Sequence, residues 1–127
     1  MIVLEQIKID STDTTPQIVL DVSSLNFSFC GVSMPNDPVK FYAPIIEWLK
    51  EYQQNPIKNA QFKIELEYFN TASSKIILNI MKMIRDIGNG NKIIWMYDKT
   101  DSDIKEVGED YQEMIGEDVL EVIPIDD

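Results

Sequence analysis

Phe62-Lys63-Ile64-Glu65-Leu66-Glu67-Tyr68-Phe69-Asn70-Thr71-Ala72-Ser73-Ser74-Lys75 changes its apolar period in mid-course, and that change decides the fold. Phe62, Ile64, Leu66 and Tyr68 alternate with Lys63, Glu65 and Glu67, the pattern of a strand over Phe62–Phe69 with one covered face and one wet face. From Ser73 onward, Ile76, Ile77, Ile80, Met83, Ile84 and Ile87 recur at helical spacing as far as the stop signal Gly88-Asn89-Gly90. A strand running directly into an amphipathic helix marks an α/β chain.

Working outward, Lys92 to Tyr97 is almost wholly apolar and β-prone, as an internal strand should be, and Asp98 to Asp101 breaks it. Ile104, Val107, Tyr111 and Met114 predict a third helix, with Glu106, Glu109, Asp110 and Glu113 on its other flanks. Val119 to Ile125 closes as a strand. Upstream, Asp37-Pro38 is a helix start, and Phe41, Tyr42, Ile45, Trp48, Leu49 and Tyr52 continue the stripe. Pro44 should kink this helix or mark its true start. Gln17–Asp21 and Leu25–Gly31, joined by Val22-Ser23-Ser24, read as a β-hairpin, and Val3–Ile9 as an edge strand before a polar loop. The expectation is one α/β domain over residues 1–127, a mixed sheet with right-handed crossovers that place the helices mainly on one face.

The chain has 127 residues, of which 44% are hydrophobic, enough to bury one continuous core without metals or disulfides. Its single Cys30 and its lack of histidine exclude an internal disulfide and any Cys/His zinc site, and fit a reducing, cytoplasmic setting. No basic-then-apolar leader opens the chain, and no run is long enough to span a membrane. A net charge of −11 repels phosphate backbones, which argues against nucleic acid and anionic membranes as partners and favours a protein with a basic docking surface.

The absence of histidine also removes the commonest general base, and the carboxylates fall on solvated faces, so no catalytic residue is assigned and no enzymatic activity is expected. Asp98, Asp101 and Asp103 suggest a calcium loop, but Lys105 and Glu106 stand where that loop needs a ligand and a glycine, so neither a metal nor a cofactor is expected. Met81, Met83 and Met96 read as packing, Trp48 and Trp95 as core, and Cys30 as a small buried hydrophobe.

Hydroxyls crowd the junction between strand and helix. Helix N-termini carry unpaired N–H groups and a partial positive charge, so a phosphate on Thr71 or Ser73 would be well placed there. Asn70, Thr71 and Ser73 are equally the residue types that cap helices. Lys75 stands close enough to hold a phosphate. The acidic flank of the third helix, at Glu106 and Glu109, is either a solubility device or part of one docking surface with Asn70–Lys75.

Tyr68-Phe69-Asn70-Thr71-Ala72-Ser73-Ser74-Lys75 resembles the Tyr-Leu-Asn-Thr-Ser-Ser-x-Lys core of the SiaC family of bacterial regulatory phosphoproteins. Thr14-Thr15-Pro16, Met34-Pro35-Asn36, the run from Phe41 to Leu49, and Trp95-Met96-Tyr97-Asp98 resemble further landmarks of that family in the same order. The resemblance implies a STAS-like fold, that of the anti-sigma-factor antagonists. It further implies phosphorylation of Thr71 by a dedicated protein kinase and its reversal by a metal-dependent phosphatase. In the unmodified state it implies activation of a diguanylate cyclase, and hence a role in cyclic di-GMP signalling. Ala72 departs from the family's usual serine, and Ser73 and Ser74 remain candidates for modification or contact beside Thr71. Two other outputs fit such a fold, a constitutive interaction domain in which Thr71 is only a cap and a partner-switching antagonist in a sigma-factor circuit.

Overall fold

The computed structural model describes residues 4–126. Its elements are β1 (Ile7–Ile9), β2 (Gln17–Asp21), β3 (Asn26–Ser33), α1 (Pro38–Tyr52), β4 (Gln61–Phe69), α2 (Thr71–Ile87), β5 (Lys92–Asp98), α3 (Ser102–Ile115) and β6 (Leu120–Ile125). They form one six-stranded sheet in simple sequence order, β1 to β6. The hairpin β2–β3 and the edge strand β1 are antiparallel. β3, β4, β5 and β6 run parallel, each linked to the next through a helix. The mixed sheet expected from the alternating periods is therefore present.

One core accounts for this layering. Ile18, Leu20, Phe27, Phe29, Phe62, Ile64, Ile93, Trp95 and Leu120 all project from one face of the sheet and join Tyr42, Ile45, Leu49, Tyr52, Ile77, Ile80, Met81, Ile84 and Tyr111 from the helices. The helices thus lie on one face. Phe27 stacks on Phe62 at 4.8 Å between centroids, while Trp48 stacks on Tyr52 at 5.0 Å. Trp95 meets Tyr111 edge-on at 5.4 Å and donates its indole N–H to the Ile104 carbonyl at 3.1 Å.

Several local expectations are corrected. α1 begins at Pro38, with the Asp37 carboxylate accepting from the Lys40 amide at 3.1 Å, so Pro44 lies inside the helix and does not mark its start. β1 is shorter than the expected edge strand; Leu4, Glu5 and Gln6 precede it, and Val3 lies outside the described residues. Leu25 is a turn residue with φ 58° and is largely exposed, so β3 starts at Asn26. On α3 the stripe turns through Gly108 to Ile115, leaving Met114 exposed. Gly108 is required there because a Cβ would sit 2.3 Å from Trp95 Cδ1.

The largest correction concerns the end of β4. Gly31 pairs with Leu66 but Val32 pairs with Tyr68, so Glu67 is an extra residue on β4, a β-bulge. The bulge reverses the alternation. Tyr68, expected with Phe62, Ile64 and Leu66, turns outward and is 54% exposed, while Phe69 turns inward and meets Trp95 edge-on at 6.0 Å. Met96 and Cys30 also lie on the outer face: Met96 is not part of the core and Cys30 is only half-buried. The Cys30 thiol faces Glu65 at 3.8 Å, and burial together with that carboxylate pushes its pKa up, away from nucleophilic reactivity.

Candidate functional site

β3, β4, β5 and β6 point their carboxyl ends toward one rim, where the N-termini of α1, α2 and α3 begin. Each start is capped by a side chain: Asp37 for α1, Asn70 for α2 and Asp101 for α3. The Asp101 carboxylate accepts from the Ile104 amide at 3.1 Å, while Asp98 accepts from the backbone and hydroxyl of Thr100 at 2.8 and 2.6 Å. Those two aspartates therefore shape a turn and a helix start.

At α2 the candidate residues separate into distinct roles. Asn70 leaves β4 with extended backbone, φ −87° and ψ 173°, and its side-chain oxygen accepts from the Ser73 amide at 2.9 Å. Asn70 is thus the cap. Its own amide donates to the Ser33 carbonyl at 3.2 Å, tying the junction to the end of β3. Thr71 is the first helical residue and is exposed, and among the described residues its hydroxyl makes no capping bond. This rules out the reading in which Thr71 is the cap. Ser74 is half-buried, with its hydroxyl donating to the Thr71 carbonyl at 2.7 Å. Ala72 and Lys75 are exposed. Lys75 follows Thr71 by four residues, which places the two on one face of α2.

Ser73 points the other way. Its exposure is 0%, so it cannot accept a phosphate or touch a partner while the first turn of α2 is formed, which corrects its place beside Thr71 as a candidate. Its hydroxyl accepts from Ser33 Oγ at 2.9 Å, and Ser33 Oγ lies 2.6 Å from the Tyr42 hydroxyl. Ser33 has one proton and gives it to Ser73, so Tyr42 donates to Ser33. Burial pushes the Tyr42 phenol up, the direction that keeps this proton in place. A chain of three buried hydroxyls therefore pins the junction to β3 and α1. Tyr42 is legible in the sequence only as a stripe residue of α1, and its link through Ser33 is not, because Ser33 and Ser73 are forty residues apart and no periodicity joins them.

α3 joins the same assembly from the other side. The Tyr111 hydroxyl donates to the Ser74 carbonyl at 3.0 Å, and burial pushes its pKa up to about 12. Glu106 and Glu109 are exposed on α3. No acidic side chain occupies the first turn of α2, so its positive end is not neutralised by the helix itself.

The sequence pattern of the SiaC family regulatory phosphoproteins matches residues 9–125. The chain belongs to the SiaC family. An uncharacterised Pseudomonas aeruginosa protein is 23% identical over 113 residues, spanning 87% of this chain and 90% of that one. Among solved structures, apo-SiaC of Pseudomonas aeruginosa superposes with a TM-score of 0.80 at 21% identity, covering 95% of this chain and 99% of that one. SiaC in the crystal structure of the diguanylate cyclase SiaD with its activator SiaC, also from Pseudomonas aeruginosa, superposes with a TM-score of 0.80 at 20% identity, covering 94% and 99%. At such identities the superpositions speak for a shared SiaC fold. Among the described residues, no helix is long and apolar enough to cross a membrane.

Proposed function

We propose that this chain is a non-enzymatic partner-switching protein whose switch is reversible phosphorylation of Thr71, and that in its unmodified state it binds and activates a diguanylate cyclase. The observation that carries this reading is the division of labour at the junction: Asn70 caps, Ser73 anchors, and the Thr71 hydroxyl between them is exposed and not used in capping. A kinase can reach that oxygen without unfolding α2, and a phosphatase can reach it again. The SiaC family's standing as regulatory phosphoproteins and the complex of the Pseudomonas relative with SiaD support the same reading.

The physical consequence follows from charge. Phosphorylation adds about −1.5 to −2 charges to a chain already at −11. Lys75 and the uncapped amides of α2 would hold the group in place. A partner packed over the junction would then have to bury a phosphate, which weakens the complex. Glu106 and Glu109 would extend that docking surface toward basic groups on the partner.

Phosphosite mapping on the protein isolated from its native cells tests the reading. Phosphate is expected on Thr71 and absent from Ser73; absence from Thr71 under every growth condition would leave a constitutive interaction domain.

A further inference from the structure

Parallel sheets are almost always covered by helices on both faces, because their strands are apolar on both sides. Here, among the described residues, the parallel strands β3–β6 carry helices on one face only. The other face is not wholly polar. Val32, Met96, Ile123 and Ile125 project from it beside the buried Ile94, and among the described residues none of these four belongs to or packs against the core. Met96 and Ile123 are lateral neighbours, as are Val32 and Tyr68, so the apolar residues stand in pairs across neighbouring strands, with Glu65 between the two pairs. Ile123 is 36% exposed and Tyr68 54%. Tyr68 reaches this face only because of the Glu67 bulge.

We propose that the open sheet face is a docking site for an amphipathic helix of a partner protein, aliphatic along its contact stripe and flanked by Lys or Arg. The helical form follows from what covers the second face of a parallel sheet. The basic flanks follow from charge complementarity: Glu65, Asp98 and Glu121 stand next to the apolar residues on that face and Glu67 lies at the bulge beside them, while Lys8 and Lys63 share the row of Ile94 and Lys92 lies beyond it. A second copy of the chain is disfavoured as occupant because it would bring an identical acidic rim and a net charge of −11 against the first. This inference is independent of whether Thr71 is phosphorylated.

Site-specific photocross-linking in the native host tests it, with a benzophenone side chain at Met96 or Ile123 and, as a control, at the exposed Lys82 on α2. Adducts at the two sheet positions and not at the control are expected, mapping to one segment whose apolar residues recur at helical spacing between basic residues. Ile123→Lys should lower the yield at Met96 by about tenfold while holding the melting temperature within roughly 3 °C, since that residue lies outside the core. Adducts mapping to this chain itself, to an acidic or non-helical segment, or no yield above the control would overturn the proposal.

Discussion

Residue identity at the junction separates two effects that one-letter chemistry confuses. Asn70→Ala removes the cap of α2 and should cost about 1 kcal/mol, whereas Thr71→Ala removes an exposed side chain and should stay within about 0.5 kcal/mol; urea denaturation of both variants measures the contrast. Tyr111 offers a second residue-level test. Its folded-state pKa of about 12 lies above the value of about 10 expected when unfolded. The folded form therefore binds more protons between those values, and stability should fall as pH rises through that window, by roughly 2–3 kcal/mol in total. Tyr111→Phe should flatten that part of the fall in urea midpoints measured from about pH 9 to about pH 12, leaving a residual slope from Tyr42 and Tyr52, whose phenols burial also raises.

At the level of elements, what was legible was what repeats. The alternation of β4, the apolar run of β5 and the stripe of α2 each carry their own period, so their existence and order could be read directly. The bulge could not, because one inserted residue between Leu66 and Tyr68 shows only in the pairing with β3. Met114 departs from the expected stripe for a related reason: Gly108 carries no apolar side chain, yet it is the point where α3 comes against Trp95. Gly108→Ala should overpack that contact and cost about 1–3 kcal/mol, seen as a fall in melting temperature of several degrees. Pro124 in β6 is tolerated because β6 is an edge strand, where a missing donor need not break the ladder.

Across the whole molecule, the proposed function depends on where elements meet. The Asn-Thr pair and its flanking residues were visible in the chain, and the resemblance they carry agrees with family membership over residues 9–125. The hydroxyl chain from Tyr42 through Ser33 to Ser73 was not visible, since it joins α1, β3 and α2 only after folding. That chain explains why Ser73 is an anchor while Thr71, two positions away, is the exposed hydroxyl. The central claim is that modification of Thr71 alone exchanges the partner, and it is tested most directly by the affinity of the host's diguanylate cyclase for the unmodified protein, Thr71→Ala, and protein phosphorylated at Thr71. The account predicts that the first two bind alike and that phosphorylation weakens binding by about 100-fold, or roughly 2.7 kcal/mol; equal affinity of the phosphorylated and unmodified proteins would contradict it.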